Sequence, residues 1–158
     1  MVKFKRVKAA TVPLVYELLN DLRKPDMKEI LLCTKESPDK AIWESIDNSK
    51  YCYAVRDKDD NLLAITGIGV PCSVQGTPAT TVWFLGTSKA YRHNRALVYY
   101  GKQFCTQWIA EVGPLCNWIW AGNEPALRYI KHLGATLLDG EMVNGEVFIP
   151  FILSEVKQ

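Results

Sequence analysis

Residues 118–135 read WIWAGNEPALRYIKHLGA, and they describe a strand that runs directly into a capped helix. Trp118, Ile119 and Trp120 belong to an apolar run of the kind a buried strand needs. Asn123 then stands where a helix cap belongs, because its side chain can accept from a free amide of the first turn. Pro125 follows in that first turn, where its missing N–H costs nothing. Gly134 closes the helix, as the residue type that most readily takes up a left-handed cap.

Working outward from there, a long helix is predicted over Arg95–Val112. Leu97, Gly101, Phe104, Trp108 and Val112 form one stripe, and Gly113-Pro114 stops it. On the other side, ATLLDGEMVNGEVFIPFIL reads as a closing hairpin turning at Asn144-Gly145, with Pro150 guarding the sheet edge that VFIPFIL would expose. The N-terminal half starts with VKFKRVKAA, which alternates as a strand does. Thr11 caps a helix bearing Pro13, Leu14, Val15, Leu18, Leu19 and Leu22, and RKPDMKEILLC follows as a second helix with Asp26 as its expected cap. Ser37 and Pro38 open a third helix. YCYAVRD and LLAITGIGV make a hairpin across KDDN, PCSVQGTPA reads as a loop, and TTVWFLGTS is another strand. The order β, two or three helices, β–β–β, α, β, α, β–β describes one α+β domain over residues 1–158, a mostly antiparallel sheet with an embedded β–α–β crossover.

Composition narrows the function. With 48% apolar and 11% aromatic residues the chain can fill a real core, and a net charge of +2 does not suggest nucleic-acid binding. No run of residues is apolar enough for a membrane span, and the N-terminus lacks the apolar core of a signal peptide. Cys33, Cys52, Cys72, Cys105 and Cys116 form no CxxC pair, and His93 and His132 add no zinc spacing, so no metal site is expected. The cysteines are read as reduced, mostly buried thiols of a cytoplasmic protein.

The element order and two segments resemble the GCN5-related N-acetyltransferase (GNAT) superfamily. The first segment is GTSKAYRHNRALVYYG, residues 86–101; the second is the stretch quoted at the outset. The resemblance implies a central sheet whose fourth and fifth strands splay apart, with helices on both faces and acetyl-coenzyme A (acetyl-CoA) in the gap. In that family an Arg/Gln-x-x-Gly-x-Gly/Ala turn cradles the pyrophosphate at a helix start. Here Tyr91 and Arg92 match the start of the turn, while Arg95 and Leu97 stand at the glycine positions or the turn is shorter by about two residues. Phosphate contacts would therefore come from Arg92, His93, Asn94 and Arg95, and backbone pairing to pantetheine from Leu85, Gly86 and Thr87. Asn123, Ala126 and Gly134 match the family's Asn-x-x-Ala-x-x-x-Tyr-x-x-x-Gly-Phe pattern. Its Tyr, which in many members protonates the departing thiolate, is Ile130 here; Tyr129 lies one residue away, about 100° around the helix. A narrower resemblance joins RKPDMKEI, SPDKAIWESIDNSKYCYAV, VWFLGT, RHNRAL and NEPALRYIKHLGA to GNAT-like internal virion or morphogenesis proteins of podoviruses related to phage T7. It implies residence in the bacterial host cytoplasm or the virion.

Two functions compete on these residues. One is an acyl-CoA-dependent N-acetyltransferase acting on an amine; the other is a non-catalytic GNAT-like protein that contacts a phage or host protein. A sensor that binds a CoA derivative without turnover is a third. Amine acetylation needs a proton acceptor. Asp26, Glu29, Tyr99 and Tyr129 are the candidates, none singled out by a motif, and Asp26 and Glu29 also read as a cap and a solvated first-turn charge.

Overall fold

A computed structural model describes all residues, 1–158. The chain runs β1 (Val2–Arg6), α1 (Val12–Leu19), α2 (Lys24–Cys33), α3 (Pro38–Asp47), β2 (Tyr51–Asp57), β3 (Leu62–Val74) and β4 (Thr77–Gly86). A 3-10 segment, Ser88–His93, leads into α4 (Asn94–Val112), followed by β5 (Leu115–Trp120), α5 (Glu124–Leu133), β6 (Thr136–Leu137), β7 (Glu141–Val143) and β8 (Glu146–Leu153). All eight strands form one sheet in the order β1-β2-β3-β4-β5-β8-β6, with β7 also on β8. Only β4 and β5 pair in parallel, so the expected α+β architecture is present.

Strand alternation sends side chains to both faces, and helices cover both. Cys52 and Ala54 of β2 and Ile65 of β3 pack with Val15 and Leu18 of α1 and Ile42 and Ile46 of α3. On the opposite face Val82, Ile119 and Phe151 meet Cys105 and Trp108 of α4 and Ile130 and Leu133 of α5.

The expected caps form at Thr11, which accepts from Leu14 N–H, and at Asn123, which accepts from Ala126 N–H. Gly134 ends α5 in the left-handed region at φ 106°. Asn144-Gly145 makes the closing turn with φ of 51° and 81°. Ser37 precedes α3 as expected but makes no side-chain cap bond.

Four expectations need correction. PCSVQGTPA is not a loop: β3 runs on to Val74, β4 begins at Thr77, and Gln75-Gly76 turn between them at φ 48° and 83°. The prolines there mimic strand breakers, yet Pro71 sits beside a register shift that absorbs its missing donor. The strand carrying Pro150 is not an edge, because β8 lies between β5 and β6. Pro150 falls opposite residues 138–140, between the pairing of β6 and that of β7, where its carbonyl accepts from Leu138 N–H and no donor is required of it. Asp26 does not cap α2; Arg23 holds the cap position without a side-chain bond, and Asp26 is buried inside the protein. Cys72 of β3 and Cys116 of β5 are joined by a disulfide rather than being free thiols, because the sheet brings together residues 44 apart in sequence.

Burial pushes the thiols of Cys52 and Cys105 up to about 12, and that of Cys33 up to about 11 with Glu29 adding to the effect. A thiol reagent at pH 8 should therefore find no fast-reacting cysteine in the native protein. After unfolding without reductant it should titrate the three cysteines outside the disulfide, Cys33, Cys52 and Cys105.

Candidate functional site

Strands β4 and β5 pair only at Thr80–Leu115 and Thr81–Cys116, then diverge. What lines the resulting gap follows from strand parity. Thr87 N–H donates to Leu63 O, making that a hydrogen-bonded pair across β3 and β4. By alternation Leu85 also points its backbone groups at β3, whereas Phe84 and Gly86 point theirs into the gap. The gap is closed at its narrow end by Asn117, whose amide donates to Val82 O at 2.7 Å.

Its wide end is closed by α2. Gly86 O accepts from Arg23 N–H, and Gly86 N–H donates to the Asp26 carboxylate, each at 2.9 Å. The other Asp26 oxygen accepts from the Asn123 amide at 2.9 Å. Glu29, one turn along α2, accepts from Trp120 N–H at the end of β5 at 2.7 Å. Between these closures Phe84 is the residue whose N–H and C=O face the opening.

Gly86 is glycine for a definite reason. A Cβ there would lie 2.7 Å from Arg23 Nε, so the bare backbone lets the guanidinium lie against the strand. Arg23 is nearly sealed from water and stacks over Phe84 and Tyr91, its Cζ 5.5 and 5.6 Å from the two ring centres. Its Nε donates to Asp26. Its Nη2 also lies 2.9 Å from that carboxylate, but neither of its N–H bonds is aimed at an acceptor. That leaves a buried cationic donor without a hydrogen-bond partner, a costly state that a bound anion would relieve.

Arg23 faces a cleft of about 430 Å³ between α4 and α5. Arg95, Lys102, Arg128 and His132 share its walls, and no carboxylate does. Phe84, Leu97 and Tyr129 separate this cleft from an apolar cavity of about 120 Å³, which lies under α4 behind the gap between the strands. The Tyr129 hydroxyl donates to Leu97 O at 3.3 Å, and burial holds its pKa well above the ordinary value. Gly101 leaves room for that hydroxyl, since a Cβ there would overlap it.

The residues singled out by sequence divide between these places. Asn94 and Arg95 line the basic cleft. Arg92 and His93 line a separate small pocket with Asp57 and Asn61, because the 3-10 segment turns them to the other side of the α4 start. The side chain of Leu85 borders the apolar cavity. Thr87 is buried with its hydroxyl donating to Leu62 O, and Asn123 is buried with its side chain bonded to Asp26 and Ala126. Tyr99, weighed as a packing residue, is exposed on the cleft rim, whereas Tyr100 packs on Phe4. Arg23 and Phe84 escaped sequence reading altogether; the one signal pointing to them was Gly86 itself.

The chain superposes on an aminoglycoside N(6')-acetyltransferase from Legionella pneumophila with a TM-score of 0.67 and 12% identity, covering 96% of this chain and 91% of that one. The spermidine N-acetyltransferase of Vibrio cholerae, solved with CoA and spermine, gives 0.65 at 12% identity over 96% and 94%. The ribosomal-protein-S18-alanine N-acetyltransferase of Escherichia coli gives 0.63 at 13% identity over 100% and 96%. The chain has the GNAT fold. No protein-family model and no curated protein matches the sequence. In GNAT terms the splayed fourth and fifth strands are present, and α2 braces them from one face.

Glu29 is half-buried, not a solvated first-turn charge. Burial raises its pKa from the ordinary 4.5 to about 7; the Trp120 N–H opposes the rise and Asp26 adds to it. Folded protein therefore holds this proton up to about pH 7 and the unfolded chain only to about 4.5. In that window the native state binds more protons, so stability falls as pH rises and the loss is complete above it. Glu29→Gln, which keeps an acceptor for Trp120, should flatten this slope and be more stable than wild type at pH 8 by on the order of 2 kcal/mol relative to their difference at pH 4.5. Chemical denaturation at the two pH values measures it. Asp26→Ala, which strands Arg23 without its counter-charge, should cost about 3–5 kcal/mol in the same assay.

Proposed function

We propose that the protein is an acyl-CoA-dependent N-acyltransferase. The observation that carries this reading is the continuity of three features: a basic cleft without carboxylates, the exposed backbone groups of Phe84, and a gap between parallel strands. A nucleotide with several phosphates fits the first. Arg95, Lys102, Arg128 and His132 supply charge along the walls, and the unpartnered Nη2 of Arg23 supplies a buried donor. The N–H and C=O of Phe84 are placed to pair an extended amide-bearing arm as one more strand would. These two groups of Phe84 take over the role expected of Leu85, Gly86 and Thr87, because Leu85 and Thr87 direct their backbone groups at β3 and those of Gly86 are taken by Arg23 and Asp26. Bound acyl-CoA would supply an activated thioester carbonyl.

The chain's own contribution is orientation and proton handling. Glu29 Oε1 takes the bonds from Trp120 N–H and, at 3.4 Å, from Asn123, which leaves Oε2 free at the gap. A carboxylate with a pKa of about 7 can take a proton from an ammonium acceptor and return it to solvent near neutrality. Tyr129, at the junction of cleft and cavity, stays protonated and can turn its hydroxyl from Leu97 O toward a departing thiolate. Ile130 has no such proton to give.

The runner-up is a non-catalytic GNAT-fold protein, in keeping with the narrower resemblance to phage internal virion proteins and with residence in the host cytoplasm or virion. Asp26 favours it, since it occupies the Gly86 N–H that a ligand would otherwise find free.

Calorimetry with acetyl-CoA separates the two. Binding at micromolar strength is expected, weakened about tenfold or more in Arg95→Ala/Arg128→Ala. With an amine acceptor identified, Glu29→Gln should lower kcat and remove the acid limb of its pH profile near 7. No heat at millimolar acetyl-CoA would sink the enzyme.

A further inference from the structure

The apolar cavity behind the gap is larger than an acetyl group needs. It measures about 120 Å³ and runs from Phe84 at the gap to Trp108 of α4. Val82, Leu97, Cys105, Ile119 and Ile130 supply much of its wall, and Glu29 at its rim is its only side chain of the Asp, Glu, Lys, Arg or His types. A cavity of roughly 150 Å³ lined this way stays dry and accepts a six-carbon ring. An acetyl methyl would leave most of the present volume empty, and an empty apolar void forgoes the contacts its lining could make.

Resting on the acyl-CoA reading of the cleft, we propose that the preferred acyl group is a straight chain of about four to six carbons rather than acetyl. With the arm paired to Phe84, the thioester carbonyl would lie in the gap beyond it, and the tail would enter the cavity between α4 and the sheet. Ile130 belongs to this design. A tyrosine at that position would bring a hydroxyl to a wall that isoleucine keeps apolar. The same substitution that removes a proton donor thus extends a hydrophobic surface. Val82 of β4 and Ile119 of β5, on the two strands that diverge, both line the cavity.

The experiment is a calorimetric series with CoA, acetyl-CoA, butyryl-CoA and hexanoyl-CoA on the full chain. Two cavity-filling variants, Cys105→Met and Ile119→Phe, accompany it. Each buried methylene is worth about fourfold in affinity, so wild type should hold butyryl-CoA about tenfold more tightly than acetyl-CoA. Hexanoyl-CoA should bind no more weakly than butyryl-CoA. Either variant should bind CoA itself as wild type does, which reports an intact fold and cleft, and should lose the preference for the longer chains. Equal affinity for acetyl- and butyryl-CoA in wild type, with CoA still bound, would overturn the chain-length inference and leave the acyltransferase reading standing. A preference that survives in both variants would place the tail elsewhere and also overturn it. Failure of every ligand, CoA included, would overturn both.

Discussion

One carboxylate holds together three parts of the chain that diverging strands would leave apart. Asp26 accepts from Gly86 at the end of β4, from Asn123 at the cap of α5, and from Arg23 at the cap of its own helix, α2. Parallel strands that splay expose backbone groups, and buried backbone groups must find partners. Asp26 and Glu29 satisfy those at the wide end, Asn117 satisfies one at the narrow end, and the opening is reduced to the span of Phe84. A buried charge is tolerable only when its hydrogen bonds are made, and Asp26 makes all of these. The incomplete member is Arg23, which borders the cleft and whose buried Nη2 has no hydrogen-bond acceptor.

This arrangement separates the site into electrostatic regions with short boundaries. Positive charge gathers between α4 and α5, apolar surface lies under α4, and negative charge comes to the gap from α2 alone. Phe84 and Tyr129 border both the cleft and the cavity, so a ligand reaching from one to the other passes an aromatic edge before it meets Glu29. The low polarity on the cavity side is also why burial dominates the rise in the Glu29 pKa. Site chemistry and packing therefore have the same origin.

Much of the fold was legible because its signals are local. Thr11, Asn123 and Gly134 act within one helical turn, and Asn144-Gly145 within a two-residue turn, so residue type nearly dictates each. What escaped depends on distant partners. Asp26 looks like a cap because caps are usually Asp, Asn, Ser or Thr; its true partners are 60 and 97 residues away. Pro150 looks like an edge because proline lacks a donor, yet the interruption between β6 and β7 provides an equivalent vacancy inside a sheet. Arg92, His93 and Arg95 fall within four residues, and the 3-10 segment before α4 sends the first two away from the third. Glycine at position 86 did mark a close approach, but by a guanidinium of the same chain.

That guanidinium ties the history of two positions together. Any side chain at residue 86 would meet Arg23, and losing Arg23 would leave Asp26 without its cation while opening a void over the glycine. Neither position can drift alone. Among descendants of this sequence, residues 23 and 86 should change as a pair or not at all, with Asp26 following whichever course they take.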